Sequence, residues 1–387
     1  MFDDLEEAMN KKFGNVIRPA DRMLSGNIIN TGIFAIDYAL QGGLQEGQVH
    51  ILVGNEQGGK TTNSLKLMKN MLSKYEDEEV GGIYFDIEGT LDELWAEQLG
   101  IDLQRMYVAD SFDYGEQAVD SIIAACEHPK CRMVVVDSIP ALVTRREIEA
   151  SAIDDHMALR ARLVSKLFNG ALSRLIKRRR NGNPCTFVCV NQYRTNLGIH
   201  YGDNRVMPGG SQQRYAAHSI VEVRPNKKLK TSSDQFGMDA VEEAEFFFKL
   251  VKTKGPKNLL SGSYNMVSST DCDLPLGAVD DYKTVITYGK KHGLVGGAGQ
   301  NQYIVGVEEK FKNQDMMRKF LIENPDQYID LKTKIIASRR YMTGLSLLPP
   351  DNYLYKYHDE IQLPNMERLE EIKSEGIFGD VETEQEG

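Results

Sequence analysis

Val53-Gly54-Asn55-Glu56-Gln57-Gly58-Gly59-Lys60-Thr61-Thr62 is the stretch whose reading decides the fold of this chain. It fits G-x-x-x-x-G-K-[ST], in which glycines let the backbone curl until successive N–H groups point inward and form an anion-binding nest. A helix is expected to begin at Lys60, so that its positive end faces the same nest. Lys60 supplies a point charge for the β- and γ-phosphates, and the Thr61 hydroxyl suits Mg²⁺. A glycine-rich turn can match the pattern by chance, but the flanks argue otherwise. Gln48–Val53 reads as a buried strand and Ser64–Ser73 as an amphipathic helix, the strand–loop–helix setting that the motif requires. Gly54 through Thr62 are therefore expected to hold a nucleoside triphosphate with Mg²⁺.

Working outward, strands and helices alternate from Ile28 to Asp137. Strands are expected at Gln48–Val53, Gly82–Asp86, Met106–Ala109 and Arg132–Asp137, with helices at Lys60–Lys74, Leu91–Leu99 and Tyr114–Cys126. That pattern implies a mostly parallel twisted sheet flanked by helices. Val134-Val135-Val136-Asp137 is an apolar strand ending in an acid, which puts Asp137 beside the P-loop to hold Mg²⁺ through a water. Asp86 and Glu88 end another strand on the edge that faces the ligand. There a carboxylate can align and activate an attacking water, although spacing alone leaves a solvated loop acid equally open. Trp95, the single tryptophan, reads either as a base-stacking platform or as core.

Asp154–Arg180 is expected as one long helix with an apolar stripe at Leu163, Val164, Leu167, Phe168, Ala171, Leu172 and Leu175. It closes on Arg174, Lys177, Arg178, Arg179 and Arg180, cations that suit a helix C-terminus and more often form a solvated face than a phosphate site. After strand Cys185–Val190 and Asn191-Gln192 comes Tyr193–Arg214, rich in glycine and polar residues. Roughly twenty residues without regular structure inside a domain are usually functional. Thr144–Met157 is a second such connection. Two partly basic loops on the triphosphate edge suggest a polymer partner whose binding is coupled to the nucleotide.

Strands His218–Arg224 and Glu245–Lys254 continue the sheet in antiparallel style. The domain reading is then a helix and strand at residues 1–27 (Asp3–Phe13 and Gly14–Arg18), either a frayed terminus or a docking element for a neighbouring subunit. A core follows at 28–270, a small α+β domain at 271–350 and a charged tail at 351–387. The small domain is expected to hold helices near Val279–His292 and Met316–Asn324, and Pro349-Pro350 separates it from the tail.

The chain has 387 residues, 41% of them apolar, enough for a sizeable core. A net charge of −10 offers no overall positive field for nucleic acid. Part of it sits in Met366–Gly387, where eight acids face two bases for a charge of −6. No run of eighteen apolar residues or charged-then-apolar leader is visible, so a cytoplasmic protein without a membrane span is expected. Cys126 and Cys131 flank His128, but metal pairs are usually tighter and doubled. Cys185 and Cys189 lie in an apolar run and read as core thiols in a reducing compartment.

From the P-loop to Lys254 these motifs, in this order, resemble the RecA family of recombinases, including its phage UvsX-like relatives. Leu24–Gly47, with Thr31-Gly32 and Leu40-Gln41-Gly42-Gly43-Leu44, resembles the family's lead into the P-loop. Tyr84-Phe85-Asp86-Ile87-Glu88-Gly89-Thr90-Leu91-Asp92 resembles the segment carrying the catalytic glutamate. The resemblance therefore gives that role to Glu88, groups Asp92 with the nucleotide residues and sets Trp95 against adenine. Val136-Asp137-Ser138 with Ala141-Leu142 resembles its Walker B strand. Glu147-Ile148-Glu149 through Asp155-His156-Met157 resembles DNA-binding loop one, with Met157 at a base step and Arg162 beyond it. Asn191-Gln192-Tyr193-Arg194 to Gly209-Gly210 resembles loop two. That likeness implies that Gln192 senses the γ-phosphate and Leu197 wedges between base triplets. It further implies that Arg194, Thr195, Asn196, Gly198, Arg205, Gly209, Gly210 and Ser211 meet DNA. Lys252-Thr253-Lys254 resembles a lysine pair reaching the ATP of the adjacent subunit. Thr195, Leu197 and Gln212-Gln213 depart from the family pattern, and residues after Thr270 match only loosely.

The resemblance implies a RecA-like core that uses ATP and Mg²⁺, polymerises into a helical filament on single-stranded DNA and exchanges strands with homologous duplex DNA. Mediator and single-strand-binding proteins are implied partners, in the host cytoplasm if the gene is a phage's. A hexameric helicase sharing the core is the alternative, and a nucleotide switch for a protein partner is a third. The long basic loop speaks against the third, and the N-terminal element favours filament over ring.

Overall fold

The first helix, α1 (Asp3–Phe13), places Asp3, Asp4 and Glu6 in its first turn and Lys11 and Lys12 in its last, matching the helix dipole. None of its residues is buried, and Phe2, Leu5 and Phe13 are exposed. Residues 16–18, expected to be strand, join no sheet. Instead the Asn10 side chain accepts from Val16 N (2.8 Å) and Ile17 N (3.0 Å) and donates to Ile17 O (2.9 Å). A side chain that satisfies these backbone groups locally competes with strand pairing.

This is a computed structural model, described over residues 2–14, 16–18, 27–150, 157–195, 204–233, 239–255, 260–269 and 273–343. It divides into two units: Met1–Gly32 with Gly43–Val279, and Ile33–Gly42 with Asp280–Gly387. In the first, β1 (Ile28–Ile29) precedes the excursion of α2 (Phe34–Ala39) into the second unit, and β2 (Leu44–Gln45) returns to pair with β1. Then β3 (Val49–Gly54), α3 (Lys60–Lys74), β4 (Gly81–Asp86), α4 (Glu93–Gln98), β5 (Met106–Ala109), α5 (Gly115–Glu127) and β6 (Cys131–Asp137) alternate as expected. After the short α6 (Arg145–Glu149) come α7 (Met157–Arg180), β7 (Thr186–Gln192), β8 (Arg194–Thr195), β9 (Arg205–Val206) and α8 (Gln212–Ala216). The strands β10 (Ser219–Ser233), β11 (Asp239–Thr253) and β12 (Ser261–Val267) complete the unit.

The main sheet has eight strands in the order β12-β11-β10-β3-β7-β6-β4-β5. From β10 to β5 all pairings are parallel, and β11 and β12 add antiparallel strands. All of β3 is buried, because helices cover both faces of such a sheet. Val49, Ile51 and Val53 meet Val134 and Val136 of β6, Phe187 and Cys189 of β7, and the stripe Leu163, Val164, Leu167, Phe168, Ala171 and Leu175 of α7. Burying each large side chain of that stripe contributes about 1.5–3 kcal/mol.

At the end of α7 the basic run is not simply a solvated face. Arg178 is buried and donates to the carbonyls of His128 (2.5 Å), Cys131 (2.5 Å) and Pro129 (3.0 Å). It thereby fastens the turn between α5 and β6, where a guanidinium supplies enough donors for several carbonyls. Cys126, Cys131, Cys185 and Cys189 are free and buried.

The second unit packs α2 with α9 (Tyr282–Lys291), a small sheet of β13 (Val295–Gly296), β14 (Gln302–Ile304) and β15 (Lys310–Phe311), then α10 (Gln314–Glu323) and α11 (Pro325–Met342). Asp281 Oδ2 accepts from Phe34 N at 2.6 Å, and Tyr38 OH meets His292 Nε2 at 3.0 Å. Sequence reading left Phe34–Ala39 in the core domain, yet all six residues are buried in the smaller unit. Among the described residues no helix is long and apolar enough to cross a membrane.

Candidate functional site

The P-loop leaves β3 at Gly54 and enters α3 at Lys60. A Cβ on Gly54 would lie 1.9 Å from Val223 O, so only glycine lets β10 pass this close. On Gly58 a Cβ would stand 2.9 Å from the same oxygen, and Gly59 adopts a left-handed φ of 75°. Gln57, at φ 56°, joins it in curling the loop. The result is the backbone cradle that a phosphate chain fits.

Lys60 is buried at 7% exposure, and its Nζ donates to Asn55 O at 2.5 Å across the mouth of the loop. Burial pushes its pKa down, while Asp137, Glu88 and Glu56 act in the opposite sense. Thr61 Oγ1 donates to Asp137 Oδ2 at 2.6 Å, and Tyr84 OH donates to the same oxygen at 2.8 Å. Burial raises the Asp137 pKa from its ordinary value, and these two hydrogen bonds oppose the rise. A buried carboxylate beside the P-loop hydroxyl suits a divalent cation, which would relieve that desolvation.

Glu88 comes to the same edge. Register pairs Asp86 with Asp137, Ile87 N donates to Asp137 O at 2.8 Å, and the Ser138 hydroxyl donates to Glu88 Oε1. Gln192 ends β7 opposite Gly54. Gly54–Thr62, Glu88, Asp137 and Gln192 are therefore gathered on one carboxyl edge, as strand ends of a parallel sheet should be. Trp95 lies next to the P-loop helix, its Nε1 donating to Thr62 Oγ1 at 3.3 Å. Asp92 caps α4 by accepting from Trp95 N at 3.1 Å, a structural task that accounts for its place.

The expected polymer-facing residues separate. Arg162 is exposed on α7, and Arg194 and Thr195 are exposed in β8, which pairs with β9. Met157 opens α7 with its side chain outside the description, and Asn196, Leu197 and Gly198 lie outside the described residues. Gly209 and Gly210 take φ of 97° and 82°, and a Cβ on Gly209 would come within 3.1 Å of Val164. Ser211 is exposed at the start of α8. Arg205, expected to meet DNA, donates to the buried Glu222 at 2.6 Å. Gln213 explains one departure noted in the sequence: fully buried, it donates to Pro208 O (2.6 Å) and Gly210 O (3.0 Å) and accepts from Asn191 (2.7 Å). It ties the return of the loop to the end of β7. Ser138, Tyr84, Gln213 and Glu222 had no role in the sequence reading, since each acts through a partner distant along the chain.

Lys252 and Lys254 stand elsewhere. β11 runs antiparallel to β10, with Ile220 opposite Lys252, and Ile220 is level with Ile51 in β3. Lys254 N donates to His218 O, and His218 N to Val49 O, which sets Lys254 level with the start of β3. Val49 and Gly54 are about 16 Å apart along the strand. In this fold Lys252 Nζ donates to Arg214 O and Lys254 Nζ to Ala216 O (3.4 Å), both carbonyls of α8. Both amines therefore end on α8.

The chain matches the RecA N-terminal domain family over residues 3–259. It belongs to the RecA family. It is similar to a RecA protein of Trichodesmium erythraeum, 33% identical over 243 residues that cover 62% of this chain and 64% of that one. The chain thus spans just under two thirds of that relative's length. With the RecA protein of Streptomyces venezuelae it shares 29% identity over 326 residues, 83% of this chain and 79% of that one. Against that of Pseudarthrobacter chlorophenolicus the figures are 28% over 349 residues, 89% and 91%. Matches of that length carry the RecA likeness past residue 259, beyond the sheet and into the second unit.

Proposed function

We propose that this RecA-family chain is an ATP-dependent DNA recombinase that polymerises on single-stranded DNA and pairs it with homologous duplex. The observation that carries the reading is the convergence of the P-loop, Asp137, Glu88 and Gln192 on one sheet edge, from which Tyr193–Arg214 departs.

In this reading Gly54–Thr62 cradle the triphosphate, and Lys60 exchanges the Asn55 carbonyl for the phosphates. Thr61 and Asp137 hold Mg²⁺, which when bound neutralises charge on the phosphates. Glu88, oriented by Ser138, accepts a proton from the attacking water. Gln192 connects the γ-phosphate side of the site to the loop that begins at Tyr193. Lys252 and Lys254 serve the ATP of the next protomer, which the level of Lys254 at the start of β3 supports. The exposed Phe2, Leu5 and Phe13 of the N-terminal segment suit docking on another copy. Arg162 and Arg194 hold phosphates of single-stranded DNA while the bases stay available for pairing. The cytoplasm, Trp95 against adenine, and mediator or single-strand-binding partners belong to the same proposal.

Electron microscopy with single-stranded DNA and a non-hydrolysable ATP analogue tests it. Helical filaments are expected, whereas closed rings would favour the hexameric helicase.

A further inference from the structure

The side chain of Glu222 is 5% exposed, and its Oε1 accepts from Arg205 Nη1 at 2.6 Å. The Arg205 guanidinium also lies over the Tyr193 ring, 4.7 Å from its centroid. Tyr193 leaves β7 and Arg205 lies in β9, so one cation clasps both limbs of the loop. The acid it grips belongs to the P-loop wall: Glu222 pairs in register with Val53, and its neighbour Val223 has its carbonyl against Gly54 and Gly58.

We propose that Arg205 and Glu222 form a latch that holds the loop's limbs against the strand beside the P-loop, and that phosphates of single-stranded DNA compete with Glu222 for the Arg205 guanidinium. This rests on the DNA-binding reading above. Opening the latch by moving Arg205 leaves a carboxylate buried without its partner, which is costly. That cost lowers DNA affinity in the resting state. A change at the P-loop wall that shifts β10 alters the same cost, which links nucleotide to DNA without direct contact between them. Glu222 is thus a positioning residue and Arg205 a phosphate contact withheld until the latch opens, while Arg194 and Arg162 are exposed from the start.

Glu222→Gln keeps the shape and removes the buried charge. Nucleotide-free binding to a fluorescent single-stranded oligonucleotide should then tighten by about tenfold or more. Because Arg205 becomes available to a phosphate, the plot of log affinity against log salt should steepen by about 0.7. The double variant Arg205→Gln/Glu222→Gln, which leaves no buried charge unpaired, should lose both gains. Thermal melts establish that each variant is folded. Unchanged affinity and slope in a folded Glu222→Gln protein overturn the latch, as does a double variant that binds as tightly as the single one. If the wild-type chain with ATP analogue binds no DNA at any salt, the recombinase reading falls and the latch falls with it. Wild-type binding without a gain in Glu222→Gln overturns the latch alone.

Discussion

The Thr61 hydroxyl donates to Asp137 Oδ2 across 2.6 Å, joining the first turn of α3 to the end of β6 over 76 positions of sequence. One residue earlier, Lys60 spans the loop to Asn55 O. Lys60→Ala is therefore expected to abolish ATP hydrolysis while the fold survives, because the amine serves the cradle and its burial opposes its charge. Hydrolysis assays alongside circular dichroism check this. Normal turnover in the folded variant would remove the P-loop assignment.

Arg194 is exposed in β8, whereas Arg205 is engaged by Glu222. Arg194→Ala should weaken binding to single-stranded DNA and make its salt slope shallower by about 0.7, the value of one phosphate contact. Anisotropy titrations over a range of salt measure both. A weaker affinity with an unchanged slope would mean that Arg194 meets no phosphate.

Lys252 lies level with Ile51 and Lys254 level with the start of β3, and the proposed reading gives both to the ATP of a neighbour. The Lys252→Ala/Lys254→Ala variant should bind nucleotide but fail to hydrolyse it on DNA. Mixed with Glu88→Gln, it should regain part of the DNA-stimulated ATPase. One complete composite site forms wherever its Glu88 faces the partner's lysines. No recovery despite demonstrated co-assembly contradicts the arrangement.

His50 is sealed between Ser219 Oγ and Gln45 O, both 2.7 Å away, and its pKa is lowered to about 3, chiefly by burial and then by His218. Its unfolded value is about 6.5, so the unfolded chain takes up the proton first as pH falls. The stability held by neutral His50 is complete above that value and is lost as pH falls toward the folded one. Between pH 6 and pH 4 the loss is roughly 1 kcal/mol per pH unit. In urea unfolding over that range His50→Gln should show a slope shallower by about this amount. Equal slopes would mean that His50 is not buried in the neutral form.

The nucleotide site was legible because its signals are local. The P-loop spacing, acids ending the strands at Asp86 and Asp137, and Asn191-Gln192 ending another each follow from a short run of chain. The α7 stripe was legible for the same reason, as its period repeats over several turns. Partnerships were not legible. Arg205 looks like any loop cation until folding brings Glu222 beside it, and the buried acid gives no sign of its burial in a strand read only for apolar pattern. Phe34–Ala39 is buried throughout, so it carries no amphipathic period to reveal which unit it joins. Nor did residues 14–18 show that the Asn10 side chain binds the backbone of Val16 and Ile17.

Strand exchange is the most direct measure of the central claim. A circular single strand would be incubated with labelled linear duplex, ATP and Mg²⁺, and joint molecules followed on gels. Joint molecules are expected with homologous duplex, and none with heterologous duplex or with Lys60→Ala protein. ATP-driven separation of duplexes regardless of homology, or DNA-stimulated hydrolysis without joint molecules, would contradict the recombinase account.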